Sequence, residues 1–307
     1  MKTVLVIGAS GFVGRHLTKA LLAKGYAIRG LARNPAELAD LAVAGCEVVQ
    51  GDIADLSSVQ RATASVEAVY LAIHTLSPQQ SSAARPRFME IEKNGVQNVI
   101  TACRLSGARR VVYLTSLGIS PDEKSEWLRE RWNAEQVLLG SGLDATVIQP
   151  GYIVGVGGRG FDTVVSNAGR RVAVSLGGDS PKMRTIAVDD LAYYMVGVLE
   201  DPRTYGQCYD VGNDEILSVN QLIDITADTL GHRRPIKVQI PLALLGAFAP
   251  LIERVGKLPG GAMKGMVDSL SVDMSGNPMP IRNILPQPLL TFRQALERAV
   301  GSSENIR

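Results

Sequence analysis

Cysteine and histidine are scarce in this sequence, which contains three of each among 307 residues. Cys46, Cys103 and Cys208 have no paired spacing, and no Cys or His pattern has the spacing of metal ligands. A disulfide framework is therefore excluded as the basis of the fold, and no metal is expected. Each cysteine lies in an apolar stretch, which predicts reduced, mostly buried thiols in a cytoplasmic protein.

The sequence also has no large excess of positive or negative charge, because 32 basic and 30 acidic residues give a formal net charge of +2. This charge alone indicates neither a nucleic-acid partner nor a membrane partner. The apolar stretch 240–252 is only about half as long as a membrane-spanning helix must be. We interpret Leu242–Leu251 as a buried or cleft-lining helix, with contact to a membrane interface as the alternative. The chain begins directly with a strand pattern, so no signal peptide is predicted.

Three glycines at GxxGxxG spacing follow the apolar, β-branched run that starts at Val4. An amphipathic stretch follows directly, so the segment predicts a buried strand, a tight glycine turn and a helix. The turn brings backbone N–H groups and the positive end of the helix dipole towards a dinucleotide pyrophosphate. The predicted cofactor-binding residues of this motif are Gly8, Ser10, Gly11, Phe12, Val13 and Gly14. An ordinary glycine turn in another α/β protein is the alternative.

Strands and helices alternate up to Pro150, which predicts parallel βαβ units in a doubly wound sheet. The predicted strands are residues 2–7, 27–32, 47–50, 68–73, 110–115 and 144–149, and the predicted helices are residues 12–24, 35–44, 55–64, 84–106 and 123–140. Later segments comprise a flexible loop at 155–160, helices at 188–199, 219–230 and 292–300, and strands at 207–211 and 238–240. The fold class is therefore α/β, with a Rossmann domain at 1–154 and a smaller α/β cap at 155–307, some of which returns to the sheet.

Two positions after early strands suggest how an adenosine half would be bound. Arg33 stands at the end of the second strand, where an NAD site usually has a carboxylate for the ribose 2′-hydroxyl. A guanidinium there suits a 2′-phosphate, so NADP(H) is expected in preference to NAD(H), unless Arg33 is only a solvated loop residue. Asp52 and Ile53 follow the third strand and would contact adenine, although Asp52 could equally be a helix cap.

The carboxyl ends of the fourth and fifth strands meet at the crevice where a doubly wound sheet binds its ligand. Ala72 and Ile73 are small or apolar and would let the cofactor approach the backbone. Thr115 could bond the cofactor, and Ser116 could bond a substrate oxygen. His74 is a possible proton donor, although a loop histidine with a local hydrogen bond is the stronger interpretation.

Four segments together carry a resemblance to a known superfamily: the glycine motif, Gly51-Asp52, Leu114–Gly118 and Gln149–Gly151. The chain resembles the short-chain dehydrogenase/reductases along essentially its whole length. It is most similar to their atypical NmrA-like and complex I accessory-subunit-like branch, whose members bind NAD(P)H. The resemblance adds Pro150 and Gly151 to the expected cofactor contacts. Its motifs are specific for the superfamily but not for a reaction.

One departure from the superfamily concerns catalysis. Active members carry a Tyr-x-x-x-Lys pair on the helix after the fifth strand, and alignment on Ala134-Glu135-Gln136 puts Trp127 and Arg131 at the two positions. Tryptophan has no acidic proton to donate, and arginine can hold the nicotinamide ribose but cannot shuttle protons. Substitute acids are His74, Tyr152, or a water held by Ser116.

Three functions remain open from the sequence. The first is an NADPH-dependent oxidoreductase acting on a small apolar carbonyl, enone or quinone. The second is a non-catalytic NADP(H)-binding redox sensor or assembly module, and the third is an NAD(P)-dependent epimerase or isomerase. A monomer or homodimer is expected. An apolar substrate cleft near Leu242–Leu251 and the loop 155–160 would favour an enzyme, although plain core packing of the apolar segment is equally compatible with the sequence.

Overall fold

Seven parallel strands form the central sheet of the computed structural model, in the order β10-β6-β5-β4-β1-β2-β3. The structure describes residues 2–73, 88–123, 125–176, 178–240, 242–255 and 262–304. The strands of this sheet are β1 Thr3–Ile7, β2 Ala27–Ala32, β3 Glu47–Gln50, β4 Ala68–Leu71, β5 Arg110–Leu114, β6 Asp144–Pro150 and β10 Gln207–Val211. All residues of β4 and β5 are buried, as expected for apolar strands that helices cover on both faces.

Two helical layers cover this sheet, each with its own apolar core. Leu17 and Leu21 of α1 share one buried cluster with Leu191 of α7, and the opposite cluster contains Val59 of α3 and Val99 of α4. The helices of these layers are α1 Phe12–Ala23, α2 Ala39–Val43, α3 Leu56–Thr63, α4 Phe88–Ser106, α5 Glu126–Leu139 and α7 Val188–Gly197. The predicted α/β, doubly wound fold class is therefore confirmed.

A smaller group of elements follows β6 and has a third buried cluster, which includes Phe161, Leu222 and Phe292. Its strands form a three-stranded sheet in the order β11-β9-β7 and a parallel pair of β8 and β12. They are β7 Tyr152–Val154, β8 Val172–Leu176, β9 Lys182–Ala187, β11 Ile216–Ser218 and β12 Ile236–Ile240. The helices are α6 Arg159–Ala168, α8 Val219–Thr229, α9 Leu242–Val255, α10 Ala262–Ser269, α11 Met279–Ile284 and α12 Phe292–Glu304, and short 3₁₀ helices span Pro35–Leu38 and Pro202–Thr204.

The predicted segmentation differs from the structure mainly after Pro150. The predicted loop 155–160 is shorter than expected, because α6 already begins at Arg159. The strands β7, β8, β9 and β11 and the helices α6, α10 and α11 are additions to the predicted elements. The apolar segment 242–251 is helical within α9, and no helix in the described part of the chain is long and apolar enough to cross a membrane. Residues 84–87 of the predicted fourth helix lie outside the described residues.

Candidate cofactor site and crevice

The glycine motif forms a turn in which side chains would collide with backbone. Gly8 has a φ of +94°, and a Cβ atom on it would lie 2.3 Å from the carbonyl oxygen of Ala72. A Cβ atom on Gly14 would lie 2.0 Å from the carbonyl oxygen of Gly8. The backbone N–H of Gly11 donates to the same carbonyl at 3.0 Å. Glycine is therefore required at the first and third motif positions by close packing of β1, α1 and β4.

The N-terminus of α1 has the properties of an anion site. Gly11 is its N-cap, no side chain caps it, and its first turn contains no acidic residue. Gly11 is exposed, and Ser10, Phe12 and Val13 are half-buried. The first N–H groups of a helix have no partner within the helix, and together with its positive dipole end they suit a pyrophosphate.

A second glycine-containing turn packs against the first through Phe12. Cβ atoms on Gly155 and Gly158 would lie 2.8 Å and 2.9 Å from the Phe12 ring. The segment that leads from β7 into α6 therefore lies beside the N-terminus of α1. The sequence indicates a flexible loop here but not this contact, which depends on two segments about 140 residues apart.

Arg33 is exposed just beyond β2, and the Gln50 side chain donates to its carbonyl oxygen at 3.3 Å. Arg15 lies in the same region and was not among the predicted site residues. Its guanidinium donates to the Ser10 carbonyl oxygen at 3.3 Å, to Asp40 at 2.6 Å and to the Glu37 carbonyl oxygen. Arg15 thus ties the glycine turn to the segment after β2, and its hydrogen bond lowers the pKa of Asp40. Its position directly after Gly14 is the only sequence signal for this role.

Asp52 and Ile53 both have local structural contacts. An Asp52 side-chain oxygen accepts a hydrogen bond from the Ala54 N–H at 2.9 Å. Ile53 is buried. Its side chain packs against Gly95, where an added Cβ atom would lie only 2.9 Å from it. The Ile53 carbonyl oxygen accepts from Asn98 of α4 at 2.9 Å. The helix-cap interpretation of Asp52 is wrong, because Asp55 is the N-cap of α3 and its side chain accepts from the Ser57 N–H. The adenine contact of Asp52 and Ile53 stays a prediction.

The ends of β4, β5 and β6 lie side by side at the crevice. Ala72 is buried and Ile73 half-buried, whereas His74 lies outside the described residues. Thr115 is buried and Ser116 half-buried. The N–H of Leu117 donates to the Pro150 carbonyl oxygen at 2.9 Å, which joins the segments that leave β5 and β6.

Gly151 marks the passage from the central sheet to the smaller group of strands. A Cβ atom on it would lie 2.1 Å from the Arg184 carbonyl oxygen of β9. Its N–H donates to Val211 of β10 at 3.0 Å. Close backbone packing therefore accounts for a glycine at this position, and its predicted cofactor contact stays a prediction.

Arg131 lies in a buried polar cluster between α4, α5 and β5. Its Nε atom is 3.2 Å from a carboxylate oxygen of Glu92, and both side chains are only 4% exposed. The Tyr113 hydroxyl also donates to Glu92, and the Trp127 ring centroid is 5.2 Å from the Arg131 guanidinium carbon. The structure thus gives Arg131 an internal charge partner that the sequence did not reveal. Its predicted contact with the nicotinamide ribose stays a prediction.

Glu135 extends this cluster towards β6. Its two carboxylate oxygens accept from the Gln149 amide at 3.0 Å and 2.9 Å. Burial raises the pKa of Glu135 above its usual range. Polar side chains of α4, α5, β5 and β6 thus meet in one buried cluster.

Tyr152 lies in an apolar environment. Its ring packs against the apolar cluster that contains Phe161, and a Cβ on Gly160 would lie 3.1 Å from the ring. Its hydroxyl is buried without a hydrogen-bond partner in the described part of the chain. Burial raises the pKa of Tyr152 well above its usual range, whereas a general acid works best near the operating pH. The acid role of Tyr152 stays a prediction.

Comparison with known proteins identifies the family. A family model described as NAD(P)H-binding matches residues 8–202, which include the glycine motif and the crevice. The chain belongs to this NAD(P)H-binding family, within the atypical short-chain dehydrogenase/reductases, as its sequence motifs indicate.

Similar proteins include different functional classes. A 2-alkyl-3-oxoalkanoate reductase of Stenotrophomonas maltophilia is 26% identical over 75% of this chain and 76% of its own length. The mitochondrial NADH dehydrogenase [ubiquinone] 1 alpha subcomplex subunit 9 of Arabidopsis thaliana is 25% identical over 83% of this chain and 64% of its own length. Epimerases also occur among the relatives.

A solved structure with the same fold is the NADPH-dependent quinone oxidoreductase of Escherichia coli complexed with NADPH. Its TM-score is 0.74 and its identity 20%, and the alignment covers 96% of this chain and 99% of that one. The part of the chain that the structure describes contains no group of His, Cys, Asp and Glu that could hold a metal ion.

Proposed function

We propose that this protein is an NADPH-dependent reductase of a small apolar carbonyl, enone or quinone compound. The observation that carries the proposal is the uncapped, acid-free N-terminus of α1, whose first residues, Gly11 to Val13, are exposed or half-buried beside the glycine turn. This arrangement fits the pyrophosphate of a dinucleotide. The family of the chain binds NAD(P)H, and that cofactor supplies a hydride to an acceptor when it is bound.

A preference for NADPH is supported by the basic residues beside the adenosine end of the site. Arg33 is exposed at the end of β2, where it would hold a 2′-phosphate. Arg15 fixes the following segment through Glu37 and Asp40, so that Arg33 is presented from a tethered loop. The similar quinone oxidoreductase has NADPH bound.

The kind of substrate is inferred from the absence of the tyrosine of the superfamily's Tyr-x-x-x-Lys pair. With Trp127 at its position, the chain offers Ser116, half-buried after β5, to orient a substrate oxygen directly or through water. Acceptors that need less exact proton donation, such as quinones and enones, suit such a site. Ketone and quinone reduction are also what the names of two similar proteins state.

Parallel titrations with NADPH and NADH, followed by cofactor fluorescence, test the cofactor proposal. We expect tighter binding of NADPH by the unmodified protein. Arg33→Ala should weaken NADPH binding about 10- to 100-fold, the loss of a charge-assisted hydrogen bond, and leave NADH almost unchanged. Arg61→Ala, at an exposed arginine on α3, is the control and should change neither affinity.

Turnover with a panel of quinones, enones and ketones then tests the reaction. Equal losses for both cofactors in Arg33→Ala would remove the basis of the NADPH preference. Absence of binding of either cofactor would overturn the whole proposal. Ser116→Ala should lower kcat on any active acceptor, and a fully active variant would exclude Ser116 as the orienting group.

A non-catalytic NADP(H)-binding module is the second candidate. The Glu92–Arg131 pair favours it, because the arginine at the catalytic lysine position is engaged inside the protein. The similarity to a subunit of NADH dehydrogenase also favours a non-catalytic module. Tight NADPH binding without oxidation by any acceptor in the panel would select this candidate.

The same proposal covers the cellular location of the protein, its oligomeric state and its partner. Cys46 and Cys103 are free and buried and Cys208 is free and exposed, which suits a reducing, cytoplasmic location. We expect a monomer or homodimer whose partner is a small apolar substrate rather than a nucleic acid.

A further inference from the structure

The parallel pair β8 and β12 has an apolar outer face. Its members stand opposite one another in three register pairs, and we call them the strand-pair face: Val172 with Ile236, Val174 with Val238, and Leu176 with Ile240. Four of these side chains are strongly exposed, with Ile236 at 68%, Val172 at 50%, Val238 at 49% and Val174 at 39%. Contiguous exposed apolar surface of this kind marks an interaction site more often than isolated surface residues do.

The opposite face is covered along β8 and partly covered along β12, where Lys237 is half-buried and Gln239 is exposed. Ala173 and Ser175 are fully buried, and Ser175 donates to Asn220 of α8 at 2.7 Å. Lys237 forms an ion pair with Asp224 of α8. Since side chains alternate along a strand, the outward direction of the strand-pair face follows from these inward contacts.

Arginines border the strand-pair face where both strands begin. The segments 169–176 and 231–240 contain five Arg or Lys residues and no Asp or Glu. Two of the five, Arg234 and Lys237, form ion pairs with α8. The other three, Arg170, Arg171 and Arg233, are exposed, and the N–H of Ile236 donates to the Arg171 carbonyl oxygen at 3.1 Å. A local excess of positive charge therefore adjoins the apolar side chains, although the whole chain is nearly neutral.

The helix α9 is the next element after β12 and has exposed apolar residues of its own. Phe248, Leu251 and Val255 are 58%, 59% and 77% exposed. The sequence predicts a buried or cleft-lining helix at Leu242–Leu251, and this interpretation is wrong for Phe248 and Leu251. The helix is too short to span a bilayer.

We propose that the strand-pair face and α9 bind the surface of an anionic lipid bilayer. Apolar side chains that enter the boundary of headgroups and acyl chains, beside arginines that meet lipid phosphates, are the two contributions that hold peripheral proteins on such surfaces. The charge decides between occupants: a second copy of this chain would bring the same arginines to the contact, and a neutral apolar partner would leave them without counter-charge. This proposal goes beyond the reductase function and does not depend on it.

Flotation of the full-length protein with lipid vesicles tests the proposal without any turnover. Vesicles of phosphatidylcholine alone are compared with vesicles that contain about one third phosphatidylglycerol. We expect flotation with the anionic vesicles only, and a decrease as added salt screens the arginines. Absence of flotation with both kinds of vesicle would overturn the proposal.

Two variants separate the charge from the apolar contact. Arg170→Gln with Arg171→Gln should weaken partition to anionic vesicles about 30-fold, whereas Lys19→Gln with Lys24→Gln, on and just after α1, removes the same charge elsewhere and should not. Val238→Glu should weaken partition at least about tenfold, and Val43→Glu, at a 91% exposed valine of α2, is its control. Equal effects of test and control variants would contradict the assignment of the surface.

Light scattering of the same proteins in solution excludes the competing occupant. We expect the mass measured for the unmodified protein and for Val238→Glu to be the same. A dimer that Val238→Glu dissociates, together with absent flotation, would show that the face joins two copies of the chain and would overturn the lipid proposal.

Discussion

Arg131 carries its charge in the protein interior, opposite Glu92 and beneath the ring of Trp127. A buried ion pair adds little compared with well-packed apolar residues, but removal of one partner leaves the other charge uncompensated. We therefore expect Arg131→Met to lower the free energy of unfolding by about 3–5 kcal/mol. Urea unfolding of the single and double variants measures this, and Arg131→Met combined with Glu92→Gln should recover a large part of the loss.

An exposed pair provides the control for this cycle. Arg109 is 67% exposed and lies 3.3 Å from Asp144, so Arg109→Met should cost less than about 1 kcal/mol. Additive effects of the Arg131 and Glu92 substitutions would show that the two side chains do not interact energetically. That result would free Arg131 for the ribose contact that the superfamily pattern implies.

The contact of α1 with β1 depends on the absence of a side chain at Gly14. A Cβ atom there would lie 2.0 Å from the Gly8 carbonyl oxygen and 2.7 Å from the Gly8 carbonyl carbon, neither of which can move without shifting β1. We expect Gly14→Ala to lower the free energy of unfolding by about 1–3 kcal/mol, as overpacked sites do, and to abolish cofactor binding. Thermal unfolding and NADPH titration measure the two effects.

Gly246 offers a matched alanine substitution within α9. A Cβ atom at Gly246 would meet nothing within 4 Å. Gly246→Ala should therefore be neutral or stabilise the protein by up to about 1 kcal/mol through helix propensity. If Gly14→Ala behaved like Gly246→Ala, α1 would have to pack further from the sheet than described.

Strands marked by an apolar run and flanking turn residues were predictable from the sequence. Short strands that depend on pairing with a distant strand were not. The strands β2, β3 and β10 have the bounds that their apolar runs and flanking turn residues indicate. In contrast, β7 and β11 contain three residues each, too few to show a periodicity. Their existence depends on β9, which pairs with both.

The same distinction applies to the site. The glycines of the motif are recognisable because their spacing between a strand and a helix predicts a dinucleotide-binding turn by itself. Arg15 and Glu92 acquire their roles only when Asp40 and Arg131, distant in sequence, fold against them. The contact of Phe12 with Gly155 likewise needs the complete fold.

Buried carboxyl groups make the stability of the whole molecule depend on pH. Burial raises the pKa of Glu135, Asp190 and Asp210 in the folded protein. Each such group binds its proton more tightly when folded, so its contribution to stability declines as the pH rises from its unfolded pKa, about 4, through its folded pKa. Glu135→Gln removes one of these groups.

Urea unfolding of the unmodified protein and of Glu135→Gln from about pH 4 to about pH 8 should show this difference. We expect the variant to gain stability relative to the unmodified protein as the pH rises, because only the unmodified protein must ionise a buried carboxyl. A relative loss with rising pH would mean that the ionised form of Glu135 is the favoured one in the folded state.

The position of β10 beside β6 sets the order in which a nascent chain can complete its sheet. β6 ends at Pro150, but its neighbour begins at Gln207, so the ribosome must first synthesise residues 151–206. At the usual speed of translation this takes roughly 3–10 s, during which one side of β6 lacks its partner. Unpaired strand edges attract other chains. The time needed to synthesise the intervening residues therefore sets how long this edge of β6 stays unpaired. Slow codons within them would lengthen the period in which two growing chains can associate.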